Sequence, residues 1–465
     1  MALAASRQQV TASRPRLLQA VYDAVQQPDI RKKLLYTAGI LVVFRFMAHI
    51  PIPGVDPSAI EKAVAQSQLF GLFNLFSGGA LRRLSIVALG VYPYITASII
   101  MQLVTPIVPS LQNLQKEGEQ GRHRLELYQH WMTVPLCWVQ GFAQLVILHQ
   151  QVQSVPVAPG TVAMFSPTLT GNDALPTVTG LFVLTAGTMF LVWLGELITE
   201  NGIGNGISII IFGGIVAGMP SLLNNVFQSS VGLFGVAGLT VLAVLLVAAI
   251  VWMQEAVRKV PVQYAKSVFR AGKMYRQSGQ SHIPLRVNSA GMIPLIFAFS
   301  IVILPATVFQ YVHDSTSTDW VKSVSSFFIN TFSPGTGGGR SGGAAGFYIA
   351  VFVLVVVFSF FYTLVVYQQQ NLAENLQKQG GFVPGIRPGR PTGDYIMRVL
   401  VRITWAGAIF LGVVAVIPYL ATSWFNVGSL TISSTGLLIV VGVVLDTMKQ
   451  LEAQLLMRNY EGFIR

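Results

Sequence analysis

Few residues in this chain are placed to do chemistry. Arg45 lies inside a long apolar stretch, and Glu196 and Asp446 lie near the ends of two others. Ionisable groups at membrane depth usually mark ion or proton pathways, but these three form no chain of carboxylates. That argues against a proton-coupled pump. The six histidines share no metal-ligand spacing on a common face, so the sequence predicts neither a metal site nor a cofactor. No Ser/His/Asp or His/Glu grouping suggests an intramembrane protease, and there is no P-loop. Residues 337–342 read GGGRSG, which fits a dinucleotide fingerprint only because nearly every position is glycine. With no strand before it and no helix after it at the required distance, the match is set aside. The one cysteine, Cys137, cannot close an internal disulfide and reads as packing. The amides Gln102, Gln140 and Asn288 fit hydrogen bonding between helices or a more specific polar role.

The elements that must hold these residues follow from composition. Of 465 residues, 52% are hydrophobic and only 10% charged. Soluble domains carry about a quarter charged residues, and a disordered chain is poor in apolar ones. The class left is a polytopic membrane protein. Stretches of about 20 apolar residues, the length that crosses a bilayer core, occur ten times. They fall near 33–50, 84–105, 130–150, 177–198, 206–228, 231–253, 289–310, 346–367, 401–421 and 433–450. Arg45 interrupts the first and could snorkel to the outer interface. That stretch is no cleavable signal peptide, since it starts late and runs into Pro51-Ile52-Pro53-Gly54.

The net charge of +12 could reflect nucleic acid, anionic lipid or membrane orientation. Position decides. With the N-terminus inside, the outer segments hold only Lys62, Arg82, Arg83, Lys322 and Arg340 of the 30 Lys+Arg. Nearly all the rest lie inside, so both termini are expected in the cytoplasm. Ten spans divide into two sets of five, 29–228 and 229–450. An odd set that is duplicated must insert in opposite senses, as in inverted-repeat transport proteins. Residues 1–28 form an N-terminal cytoplasmic extension and 451–465 a C-terminal tail.

Three connections stand out. The outer segment 51–84 holds a short apolar run broken by glycine, Leu69, Phe70, Phe73, Asn74, Leu75, Phe76, Gly78 and Gly79 among its residues. It is either an interfacial helix or a re-entrant piece surrounded by protein or water. The inner loop 254–287 is strongly basic, with Lys266, Arg270 and Lys273 near its middle, and should project into the cytoplasm. The inner loop 368–400 carries Gly380-Gly381-Phe382-Val383-Pro384-Gly385-Ile386-Arg387-Pro388-Gly389-Arg390. That density of Pro and Gly makes a stiff, non-helical tip. Orientation and lipid headgroups explain most of these charges but not the unusual length of the two loops.

Specific motifs then carry a resemblance. Residues 80–100 (ALRRLSIVALGVYPYITASII), Lys116-Glu117-Gly118-Glu119, Trp193-Leu194-Gly195-Glu196 and residues 199–208 (TENGIGNGIS) resemble the SecY family of bacterial protein-translocation channels. So do Tyr264-Ala265-Lys266, Pro284-Leu285-Arg286-Val287-Asn288 and Phe382-Val383-Pro384-Gly385-Ile386-Arg387-Pro388-Gly389. The resemblance runs in order from about Asp29 to Tyr460.

It implies an all-α polytopic membrane protein with ten transmembrane helices in two inverted five-helix halves, enclosing an hourglass pore. Val91, Ile95, Ile211, Ile296 and Ile439 would form an aliphatic ring at its waist, with Val91 where isoleucine is common. Residues 68–83 would be the plug that seals the ring from outside. The second and seventh spans would form the lateral gate, with Gln102, Gln140 and Asn288 as its amides. Lys266, Arg270, Lys273 and above all Arg387 would dock partners. The implied partners are SecE-like and SecG-like small membrane subunits, the SecA ATPase, the ribosome with its protein and rRNA, signal sequences, nascent chains and lipid. The implied location is the bacterial cytoplasmic membrane. A secondary transporter would need a coupling-ion site at mid-membrane, which the missing carboxylates oppose. A non-conducting scaffold or insertase would use only the basic loops.

Overall fold

The computed structural model describes residues 26–66, 74, 77–153, 164–167, 174–228, 233–270, 273–289, 291, 293–315, 319–332, 342–370, 372–425 and 433–461. In chain order the helices are α1 (Pro28–Met47), α2 (Pro57–Gln66), α3 (Tyr92–Val104), α4 (Pro109–Lys116), α5 (Glu119–Gln153), α6 (Ala174–Asn201), α7 (Gly206–Gln228) and α8 (Leu233–Glu255). After a β-ribbon come α9 (Ile293–Ser315), α10 (Asp319–Phe332), α11 (Gly342–Gln370), α12 (Leu372–Lys378), α13 (Arg390–Phe425) and α14 (Ser433–Glu461). Each of the ten apolar stretches contributes a helix. Helices α5, α6, α11 and α13 are long and apolar enough to cross a membrane singly, and α3 with α4 makes a further pair bent by 103°. A helix does begin at Gly342, the last residue of the glycine-rich segment, contrary to the sequence reading. The described element before that segment is α10, a helix and not a strand.

The second stretch is helical only from Tyr92 onward. Before it the chain runs through a 3-10 turn, Ala80–Arg83, and then irregular turns to Val91. Non-helical backbone at membrane depth must be enclosed by protein, and Leu84, Ser85, Val87, Ala88, Leu89 and Val91 are all buried. Their backbone is paired with the end of α1's loop: Ile52 N donates to Leu84 O and Ile86 N to Ile50 O, each at 3.0 Å. Close approach to α6 depends on Gly187, where a Cβ would lie 1.9 Å from Ile86 O. Pro93 sits in the first turn of α3, where its missing N–H costs nothing.

The largest apolar core draws residues from α1, α3, α6, α7, α8, α9, α11, α13 and α14, including Phe44, Leu191, Phe299, Phe347 and Leu438. A second core joins α2, the 3-10 turn, α5 and α6, and holds Cys137 fully buried. The cysteine therefore packs, as its apolar setting implied.

The basic loop 254–287 has regular structure. It is an antiparallel ribbon of β1 (Val257–Arg270) and β2 (Lys273–Arg286), with Val257 opposite Arg286 and Arg270 opposite Lys273. A short third strand, β3 (Gly381–Phe382), pairs with β1 at Gln263 and Tyr264. The architecture is thus helical with one small three-stranded sheet among the described residues, built from the two long loops. Alternate residues Val260, Val262 and Tyr264 turn toward an apolar cluster with Leu285, Leu376, Val383, Ile396 and Leu400, as the two-residue period of a strand requires.

Candidate functional site

The site is built around the broken start of α3. Val91 caps the helix and Ile95 lies in its first turn. Ile211 comes from α7, Ile296 from α9 and Ile439 from α14. All five are buried and belong to the same apolar cluster. The five residues singled out as a ring thus come from α3, α7, α9 and α14 and share one large buried cluster. Aliphatic walls offer a passing chain no hydrogen bonds and disfavour water and ions when narrow.

Beside them lies the base of the segment expected to be the plug. Of its residues, Leu69, Phe70, Phe73, Leu75 and Phe76 fall outside the described residues. Asn74, Gly78 and Gly79 form a hydrogen-bonded turn. Gly79 N donates to Asn74 O at 2.8 Å, Arg82 N donates to Asn74 Oδ1 at 3.2 Å, and Leu81 N donates to Ser77 Oγ at 3.2 Å. Gly78 has φ +66, a left-handed conformation that glycine adopts without strain. It also lies backbone to backbone against α7: a Cβ on Gly214 would fall 2.3 Å from Gly78 Cα. Arg45 does not snorkel outward. Its Nη1 donates to Gly78 O at 2.7 Å, so the cation inside the first stretch ties α1 to this turn. The sequence signal was the cation itself; its partner, 33 residues away, left no local trace.

The α3–α9 seam is polar in places. Tyr92 Oη donates to Ser300 O at 3.0 Å across it. Gln140 Nε2, on α5, donates to Thr96 Oγ1 of α3 at 3.2 Å. Gln102 bonds within its own helix, Nε2 to Ser98 Oγ at 3.2 Å. Asn288 lies outside α9, in the turn after β2, where a Cβ on Gly407 of α13 would come 3.7 Å from its Cα. The structure therefore places Gln140 against α3 and Asn288 against α13. Tyr92 and Ser300 were not singled out from the sequence, because a hydrogen bond between residues 208 apart has no spacing to read.

On the opposite end of the helices, the two long loops form one unit. The turn bearing Arg387 is fixed from beneath: Thr392 Oγ1, on a buried side chain, donates to Arg387 O at 2.8 Å, and Tyr367 Oη donates to Gly393 O at 3.1 Å. The Arg387 side chain is exposed. Lys266, Arg270 and Lys273 lie on the ribbon, the last two paired at its tip; their side chains are outside the described residues. The ribbon's base is clamped to α14. Lys449 Nζ lies 2.7 Å from Glu255 Oε1 and Arg286 Nη1 lies 3.7 Å from Asp446 Oδ1. Glu196, the other carboxylate singled out with Asp446, joins α6 to α5 through His130 Nε2 at 2.7 Å.

Comparison with known proteins bears on this arrangement. The SecY family model matches residues 85–448. The chain is 40% identical over 463 residues to a protein translocase subunit SecY of Streptomyces scabiei, covering 97% of this chain and 100% of that one. It is 41% identical over 450 residues to the SecY subunit of Halalkalibacterium halodurans, covering 94% and 97%. Among solved structures, a protein-conducting channel superposes with a TM-score of 0.57 at 14% identity, over 92% of this chain and 93% of that one. A SecY protein whose plug domain is described as stabilising the closed channel and maintaining a membrane seal also gives 0.57, at 15% identity over 92% and 93%. These two share the fold. The chain is a membrane protein that belongs to the SecY family of protein translocase subunits.

Proposed function

We propose that the chain conducts unfolded secretory polypeptides across a bacterial cytoplasmic membrane through the constriction formed by Val91, Ile95, Ile211, Ile296 and Ile439. Hydrophobic segments leave sideways into lipid between α3 and α9. The observation that supports this reading is the burial of those five aliphatic residues, from the interrupted helix α3 and from α7, α9 and α14, in one apolar cluster. The two sides of the pore are the halves 29–228 and 229–450, with ten spans in all. Residues 68–83 are the plug, and its base is held by Arg45 and by the Gly78–Gly214 contact.

Gln102 and Gln140 serve the gate. Each has a buried side-chain oxygen without a partner among the described residues, so parting the helices wets groups that gain by it. Asn288 acts at the entrance to α9 instead of within the seam. Exposed Trp131, Trp193, Trp252 and Trp405 fall near those ends of the apolar stretches 130–150, 177–198, 231–253 and 401–421 that alternation assigns to one side. That is the arrangement of an interfacial aromatic belt, and the Lys/Arg bias supports cytoplasmic termini.

The ribbon and the Arg387 turn together form a docking platform for a SecA-like ATPase and for the ribosome, its protein and rRNA. A Sec61 channel that shares the fold is known in a canine ribosome–channel complex. Lys266, Arg270 and Lys273 supply charge along the ribbon, and Arg387 supplies the tip. SecE-like and SecG-like small subunits complete the assembly in the membrane. Energy comes from these partners.

Ion conductance in planar bilayers tests the reading. The wild-type channel at rest should leak little, and deletion of 68–83 should raise the leak. Gly214→Val should do so more gently, because its side chain forces the 77–79 turn off α7; overpacking of this kind costs about 1–3 kcal/mol. Equal conductance in all three proteins would assign the segment to the membrane interface and remove the plug from the account.

A further inference from the structure

The seam between α3 and α9 is crossed by the hydrogen bond from Tyr92 Oη to Ser300 O at 3.0 Å, with both residues buried. We infer that the Tyr92 hydroxyl is a latch that sets how strong a signal sequence must be to part these helices. The inference rests on the reading of this seam as the lateral gate.

The latch follows from how each end is held. Tyr92 opens α3, directly after Val91. Thr96 Oγ1 donates to Tyr92 O at 3.0 Å and itself receives Gln140 Nε2 at 3.2 Å. The first turn of α3 is thereby tied to α5, and the phenol projects from a braced backbone. On α9, Ser300 Oγ turns back to donate to Ile296 O at 2.8 Å. The hydroxyl of Ser300 donates within its own helix, and the Ser300 carbonyl accepts from the Tyr92 phenol, with the Ser300 and Thr96 hydroxyls also beside that phenol. A carbonyl oxygen has two lone pairs and can accept across the seam as well as along the helix. Ile296 stands one turn from this bond and Val91 next to it, so the bond lies at the edge of the constriction, away from water when the seam is shut. Opening exchanges it for bonds to water. The net worth of such a bond is a factor of about two to ten in an equilibrium.

The chemistry separates the two partners. Tyr92→Phe removes the donor and keeps the ring that packs there. Ser300→Ala removes a hydroxyl but leaves the accepting carbonyl in place. Export is measured for two reporters, one with a strong signal and one with a weakened hydrophobic core, at matched channel levels. Tyr92→Phe should raise export of the weakened reporter about two- to tenfold and leave the strong one unchanged. Ser300→Ala, which keeps the accepting carbonyl, should leave the strong reporter unchanged and relax the weakened one less than Tyr92→Phe does. Wild-type export of the weakened reporter by Tyr92→Phe would overturn the latch, and so would equal relaxation by Ser300→Ala. A photoreactive residue in the signal core, mapped on the wild-type channel, keeps the gate separate. Crosslinks to α3 or α9 alongside a neutral Tyr92→Phe would remove the latch and leave the gate. Absence of crosslinks to either helix would remove both.

Discussion

Arg387→Glu is expected to cut export at least about tenfold while leaving the channel folded and inserted. The side chain is exposed, so the exchange disturbs no packed neighbour, and such surface changes usually stay within about 0.5 kcal/mol of stability. What supports the position remains intact. Thr392 still donates to the Arg387 carbonyl, β3 still pairs with β1, and Val383, Leu376 and Ile396 stay buried below. The functional cost comes from charge. Two unit charges about 4 Å apart interact by ~4 kcal/mol at the effective dielectric of a protein surface, and reversal replaces attraction to an acidic or phosphate partner by repulsion. Docking through phosphates should also weaken steeply with salt. Export of a strong-signal reporter, followed against ionic strength, checks this. A normal rate would reduce Arg387 to an orientation charge.

The second large effect is at the constriction. Ile296→Asn should relax the need for a strong signal sequence. Ile296 is only 7% exposed and sits among fully buried neighbours such as Leu295. An amide buried there without partners costs ~1–3 kcal/mol on mutational scales, and that cost falls on the dry, closed arrangement. If closed and open states differ by a few kcal/mol, the minor one is populated at ~0.1–10%. Removing one or two kcal/mol from the closed side therefore raises the open population about five- to thirtyfold. The readout is export of a reporter with a defective signal, at matched channel levels. Unchanged export from a folded, assembled variant would mean that Ile296 does not face the pore.

The sequence revealed the helices better than the breaks between them. Hydropathy measures apolar length, and residues 84–91 are as apolar as the helix they precede. Their irregular course depends on burial and on the fit of Gly187 to Ile86 O, which no local pattern encodes. The ribbon was more legible than its reading suggested. Val260, Val262 and Tyr264 alternate with more exposed positions, a strand signal, but the density of Lys and Arg drew attention to charge. The β3–β1 pairing, which merges two loops into one platform, joins residues far apart in sequence. The same distance hid Arg45–Gly78 and Tyr92–Ser300. Motif resemblance, by contrast, singled out five aliphatic residues that prove to share one buried cluster, although nothing in their type separates them from the many other Ile and Val of the chain.

The most direct test asks which surface a translocating chain touches. The native thiol, Cys137, is fully buried in a packed core and can be replaced by alanine. Single cysteines are then introduced as Ile211→Cys, Ile439→Cys and, on the outward face of α8, Val241→Cys, where the native side chain is 66% exposed. A secretory chain stalled midway and carrying one cysteine is offered to each channel under oxidation. Disulfides to positions 211 and 439, with none to 241, are the expected result. Crosslinking at 241 with none at 211 or 439 would place the polypeptide outside the apolar cluster and contradict the account.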